Sequence, residues 1–72
     1  MKIHYDKVVD ALYIELRPLE KGTAVFKDLN DEITANFGPD GKIAGIEILD
    51  ASKVLGSNLY NISFELPKKL VS

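Results

Sequence analysis

The segment from residue 38 to residue 52 constrains the fold more than any other part of this sequence. Its residues are Gly-Pro-Asp-Gly-Lys-Ile-Ala-Gly-Ile-Glu-Ile-Leu-Asp-Ala-Ser. Pro39 suits the first central position of a β-turn, and Gly41 can adopt a positive φ at little cost. The alternating residues 43–49 then predict a strand, and Asp50 is a suitable N-cap for a short helix. The segment therefore predicts a hairpin turn that leads into a strand and a capped helical turn.

Alternation of apolar and polar residues predicts strands in other parts of the chain as well. The predicted strands cover residues 1–6, 11–17, 23–29, 32–37, 43–49 and 60–66. Because no long helix separates successive strands, these elements predict an antiparallel sheet. The predicted fold is a single domain over residues 1–72 of the α+β class, a mostly antiparallel β-meander of about six short strands with one short helix.

Three positions carry more specific predictions about this sheet. The strand at residues 43–49 is apolar on both faces except at Glu47, which indicates a central position. Gly45 weakens the middle of that strand, so we expect a close approach there, either by a tyrosine ring or by a bulge. Asp10 follows the first strand, and we expect its carboxylate to accept a nearby backbone N–H in a hairpin turn.

Composition excludes several classes of function. The chain has 72 residues, a net charge of −2, one histidine and no cysteine. Without cysteine it has no disulfide or thiolate ligand, and one histidine is too few for a transition-metal site. Nucleic-acid binding requires a basic surface, and a membrane span requires about 20 apolar residues. We therefore expect a cytoplasmic protein that binds no cofactor, metal, nucleic acid or membrane.

The small size of the chain predicts self-association. A chain of this length buries only about 60% of the surface that its unfolded form exposes, and small domains compensate with disulfides, metals or oligomerisation. Several predicted strands are apolar on both faces, and one short helix covers only part of one face. The uncovered part is expected to be an interface. The expected function is a small intracellular protein-interaction domain, homodimeric and without catalytic activity of its own.

Glu47 is the residue most suggestive of chemistry, because it lies in mid-strand between two isoleucines. A buried carboxylate must be paired or must have a raised pKa. One interpretation makes it a general base or cation ligand in a carboxylate-based site for a small molecule or cation, together with Asp6 or Asp10. The other makes it a surface residue, or one paired with Arg17 or a lysine.

No catalytic residue is predicted. The sequence has no Gly-x-Ser-x-Gly motif, and His4 is the one histidine that could act as a base. Ser52 is expected in the first turn of the short helix, where serine is common for structural reasons. We interpret both residues as structural. Whether the protein is an enzyme is therefore left open, with no residue assigned to catalysis.

Three blocks of the sequence form a recognisable pattern. They are Tyr5-Asp6, then Asp10-Ala11-Leu12-Tyr13-Ile14, then Gly41-Lys42-Ile43-x-Gly45-Ile46-Glu47-Ile48-Leu49-x-Ala51-Ser52. Together they resemble the small prokaryotic family catalogued as domain of unknown function 2283. That family has no established activity, so the resemblance implies no mechanism.

The resemblance nevertheless implies an alternative function and a set of residues. Some members of the family look like the small partner encoded beside a toxin-like protein, which implies an antitoxin-like role with a neighbouring-gene protein as partner. The motif's polar or special positions are Asp10, Tyr13, Gly45, Glu47 and Ser52. Among these, the ligand-binding candidates are Asp10, Tyr13, Glu47 and Ser52, and a role in maintaining the fold explains them equally well.

Overall fold

The structure, a computed structural model, describes residues 1–22 and 24–67. Within them the elements are β1 (Lys2–Asp6), β2 (Ala11–Glu15), β3 (Val25–Asp28), β4 (Ile33–Phe37), β5 (Ile43–Ile48), α1 (Ala51–Leu55) and a 3₁₀ helix (Gly56–Tyr60). The predicted α+β meander is confirmed, with five strands in place of about six. Thr23, where the third predicted strand begins, lies outside the described residues. In this part of the chain, no helix is long and apolar enough to cross a membrane.

β5 is the central strand of an antiparallel sheet with the order β1-β2-β5-β4-β3. It pairs with β2 on one side and with β4 on the other. After β2 the chain crosses to the far edge of the sheet, forms β3, and returns through β4 to the centre. The central position that the apolar pattern of residues 43–49 predicted is therefore confirmed.

One face of the sheet is apolar and lies under the helices; we call it the helix-covered face. Ile48 of β5 lies between Leu12 of β2 and Ile33 of β4. Ala51 of α1 and Leu59 of the 3₁₀ helix join Leu12 and Ile48 in the buried core, with Ile33 packed against it. The alanine at the start of α1 is fully buried, so the helix backbone can approach the sheet closely.

The opposite face carries a cross-strand row of polar side chains; we call it the polar face. Tyr13 of β2 lies opposite His4 of β1 and opposite Glu47 of β5. Glu47 in turn lies opposite Thr34 of β4. Successive residues of a strand point to opposite sides of a sheet, so this row faces away from the helices.

The turn between β4 and β5 has the geometry that its sequence predicts. Gly41 has a φ of 77°, and its N–H donates to the Gly38 carbonyl at 3.0 Å. The Arg17 guanidinium braces this turn through a two-point ion pair with Asp40, at 3.0 and 2.6 Å. Arg17 therefore pairs with Asp40, and the interpretation that paired it with Glu47 is wrong.

The strand predicted for residues 60–66 is also wrong. Gly56–Tyr60 forms a 3₁₀ helix, and residues 61–67 form no regular structure. Ile62, Phe64 and Leu66 do alternate, but their side chains are exposed. Alternation produces a strand only where a neighbouring strand supplies hydrogen bonds, and within the described chain residues 61–67 belong to no ladder.

Candidate functional site

Asp10 is the centre of a hydrogen-bonded cluster that joins the β1–β2 turn to the start of α1. Its carboxylate accepts hydrogen bonds from the Tyr5 hydroxyl at 2.6 Å, the Ser52 hydroxyl at 2.6 Å and the Ser52 backbone N–H at 3.0 Å. Its backbone carbonyl accepts one from the Ala51 N–H at 3.0 Å. We call Tyr5, Asp10 and Ser52 the Asp10 cluster. These bonds fix the helix to a turn that lies far from it in sequence.

The Asp10 cluster caps α1 from outside the helix. The first N–H groups of a helix have no partner within it, and Asp10 accepts the N–H of Ser52. Asp50 lies at the predicted N-cap position, but its φ is 51° and its side chain makes no capping hydrogen bond. An N-cap residue needs an extended backbone to present its side chain to the helix, so the capping role predicted for Asp50 is wrong.

The local role predicted for Asp10 is likewise taken by another residue. In the β1–β2 turn, the Asp6 carboxylate accepts the Val8 N–H at 3.0 Å. Asp10 itself has a φ of 54°, a left-handed conformation that aspartate tolerates better than most residues. Its carboxylate bonds to a residue 42 positions away. The hairpin turn was predicted correctly, but the contact that Asp10 makes there was not.

The hydrogen bonds of the Asp10 cluster stabilise the ionised carboxylate and the neutral phenol. The hydrogen bond from the Ser52 hydroxyl lowers the pKa of Asp10 below its usual value, and the hydrogen bond from the Tyr5 hydroxyl has the next largest effect in the same direction. The hydrogen bond to Asp10 raises the pKa of Tyr5 to about 12. A general acid or base works best when its pKa is near the operating pH. Both pKa values move away from neutrality, so the geometry favours a structural role for Asp10 and Ser52.

Tyr13 crosses the polar face directly over Gly45. A Cβ atom at position 45 would overlap the Tyr13 phenol and lie 2.8 Å from its ring carbon Cζ. Gly45 also lies opposite Asn36, where the register between β4 and β5 shifts. The sequence offered a tyrosine ring or a bulge as reasons for a glycine in mid-strand, and the structure contains both.

Asn36 is a buried polar residue that the sequence analysis missed. It is 7% exposed, and its Nδ2 donates to the Tyr13 hydroxyl at 3.0 Å. Its Oδ1 has no hydrogen-bond partner within the described chain, and such an atom costs about 1–3 kcal/mol. One sequence signal pointed to it, because asparagine is depleted in strands and Asn36 lies in mid-strand.

The four predicted site residues form two separate pairs. Asp10 bonds to Ser52 at the start of α1. Tyr13 lies opposite the half-buried Glu47 on the polar face. Across residues 1–22 and 24–67, no three acidic, histidine or cysteine side chains are placed where they could hold a metal ion. The structure thus does not join the four residues into one site.

An apolar groove of about 330 Å³ opens beside the helices. The residues that line it include Ile3, Leu12, Ile14, Leu55, Leu59 and Ile62. None of the four predicted site residues is among those that line it. A lining of aliphatic side chains suits an apolar side chain better than a charged ligand.

Comparison with known proteins identifies a family and no activity. No curated protein and no solved structure matches this chain. The family described as protein of unknown function (DUF2283) matches residues 2–52, which is more than half of the chain and includes all five strands. The resemblance seen in the sequence is thereby confirmed. This chain belongs to the DUF2283 family.

Proposed function

We propose that the protein is a protein-interaction domain that works as a homodimer and has no catalytic activity of its own. One observation carries this proposal, which is the small core of the described chain. Its most deeply buried side chains are those of Ala35, Ala44 and Ala51, and no large side chain there is less than 2% exposed. Each buried CH₂ group contributes only about 0.8 kcal/mol, so alanines stabilise a fold weakly.

Large apolar side chains meanwhile lie exposed on two extended segments. Val25 and Phe26 of β3 are 62% and 67% exposed, and Ile62, Phe64 and Leu66 are 66–84% exposed. Exposed apolar surface of this kind commonly marks an interface. A standard interface would bury about 800 Å² of each partner. The apolar surface and the small core support the same proposal, because burying the exposed side chains in an interface would supply stability that the small core lacks.

A second copy is the partner that the chain itself favours. A domain of this size usually needs a disulfide, a metal or an oligomer for stability. The chain has no cysteine, and its described residues form no group that could hold a metal ion. Association with its own copy is then the remaining route to stability.

The polar clusters support the non-catalytic part of the proposal. The Ser52 hydroxyl donates to Asp10, whose pKa is lowered, so the carboxylate is a weak base toward that hydroxyl. The Tyr13 hydroxyl is engaged by the buried amide of Asn36. Both hydroxyl groups are therefore held in contacts that maintain the fold.

The test combines native mass spectrometry with thermal unfolding of the untagged protein. We expect a dimer mass at micromolar concentration and a Tm that rises over about a hundredfold increase in concentration. A monomer with a concentration-independent Tm would overturn the proposal. A complex with a neighbouring-gene protein in place of the second copy would also overturn it and would favour the antitoxin-like alternative.

A further inference from the structure

β3 is the less protected of the two edges of the sheet. Among residues 1–22 and 24–67 it pairs with β4 alone, and all four of its residues are exposed. An edge strand presents a row of unpaired N–H and C=O groups, which proteins usually protect with charged residues. β3 and the other edge, β1, each carry a lysine and an aspartate, but Val25 and Phe26 of β3 are 62% and 67% exposed, whereas Ile3 of β1 is 41% exposed. The β3 edge is therefore the better template for pairing with another strand.

The two faces of the sheet restrict how β3 can pair with its own copy. Val25 and Lys27 lie on one face of β3, and Phe26 and Asp28 on the other, since successive residues alternate. Antiparallel pairing about a two-fold axis continues the sheet, and residues directly opposite one another then share a face. The two-fold axis must therefore pass through a cross-strand pair that is formed by the same residue of the two copies.

Charge and overlap select the residue on the axis. With Lys27 on the axis, two like charges would lie directly opposite each other, which destabilises a sheet. With Val25 on the axis, most of β3 would extend past its partner. With Phe26 on the axis, two aromatic rings would meet and Val25 would lie opposite the partner's Lys27, beside the long apolar stem of that side chain.

We infer that two copies of the chain pair antiparallel through β3 with Phe26 on the two-fold axis, forming one continuous ten-stranded sheet. This pairing rests on the self-association proposed above and specifies its surface. It would cover Val25 and Phe26, which are exposed in the single chain.

Single cysteines test this pairing cleanly, because the chain has no cysteine of its own. Directly opposite residues have Cα atoms about 4.5–5.5 Å apart, which is within the range of a disulfide. Phe26→Cys should therefore form a disulfide-linked dimer under mild oxidation. In the same register the Lys27 residues of the two copies are diagonal neighbours, with Cα atoms about 7–8 Å apart. Lys27→Cys is therefore the matched control. We expect it to cross-link at least about tenfold more slowly.

A second pair of variants removes the dependence on cysteine chemistry. Phe26→Lys would place two positive charges opposite each other on the axis and should raise the Kd of the dimer at least about tenfold. Val8→Lys adds the same charge at an exposed apolar residue of the β1–β2 turn, on the far side of the sheet from β3, and should leave the Kd unchanged. Circular dichroism would check that both variants fold.

The outcomes separate this inference from the proposed function. A wild-type dimer whose Phe26→Cys variant does not cross-link, or which dissociates on Val8→Lys but not on Phe26→Lys, would overturn the β3 pairing and leave the homodimer standing. Faster cross-linking of Lys27→Cys would overturn the register. A wild-type monomer would overturn both the pairing and the homodimer.

Discussion

The contact between Tyr13 and Gly45 can be tested by adding a single methyl group. Gly45→Ala places a Cβ where the Tyr13 phenol now lies, with Cζ 2.8 Å and Cε1 3.1 Å from the new atom. The backbone at Gly45 is not in a left-handed conformation, so alanine is tolerated there apart from the ring. The substitution therefore isolates the steric contact.

The expected cost follows from two opposing effects. Inserting a carbon into a filled position costs about 1–3 kcal/mol. Replacing glycine by alanine in a strand returns about 0.5–1 kcal/mol, because glycine loses more conformational freedom on folding. The net destabilisation is about 0–2.5 kcal/mol, centred slightly above 1 kcal/mol. For a domain of 60–100 residues, each kcal/mol lowers the Tm by about 4–8 °C.

The assay is urea unfolding of Gly45→Ala in two backgrounds, at equal protein concentration. In a Tyr13→Val background the ring is absent, so Gly45→Ala should be neutral or stabilising. Gly41→Ala is the matched control: nothing lies within 4 Å of its Cβ position and its φ is 77°, so its cost arises from the backbone and should not depend on Tyr13. Equal costs of Gly45→Ala in the two backgrounds would refute the steric explanation.

Three further outcomes follow from the polar contacts. The pKa of Asp10 is lower in the folded state, so its ionised form stabilises the fold above about pH 4, and this contribution is lost as the pH falls through the folded pKa. When the free energy of unfolding is measured against pH, Asp10→Asn should therefore show a smaller loss of stability in acid than the wild type. The pKa of Tyr5 is about 12, so the neutral phenol stabilises the fold fully below about pH 10 and loses this contribution as the pH rises through about 12; an ultraviolet titration should find a value nearer 10 in Asp10→Asn. Tyr13→Phe should cost about 1–3 kcal/mol in urea unfolding, because the buried Asn36 amide loses its partner, and Asn36→Ala should cost less in that background than in the wild type.

The sheet could be predicted because its signals are local. Alternation over five or six residues identifies a strand, and Gly41 with its neighbours identifies a tight turn. The central position of β5 also follows from local composition, since apolar residues on both faces suit a strand with neighbours on either side. Gly45 was informative for the same reason, because a glycine in mid-strand needs an explanation.

Contacts between distant segments could not be predicted in this way. The acceptor for the start of α1 is Asp10, which lies 42 positions from Ser52, and Asp50 offered a plausible local cap. The burial of Asn36 depends on a tyrosine from another strand. The alternation of residues 60–66 failed as a strand signal because pairing requires a partner edge, and sequence pattern alone does not provide one.

The family motif is largely explained by these distant contacts. Tyr5, Asp10 and Ser52 hold the β1–β2 turn to the helix, and the Tyr13 ring of β2 lies over Gly45 of the neighbouring β5. These positions need no ligand to account for their residue types. Glu47 is the exception, since within the described residues no hydrogen bond or ion pair holds it. Glu47 lies opposite Tyr13 and Thr34 on the polar face, but the hydroxyls of those two residues hydrogen-bond to Asn36 and Asp28 instead. If the motif has a function beyond folding and association, Glu47 is therefore the position at which to look for it.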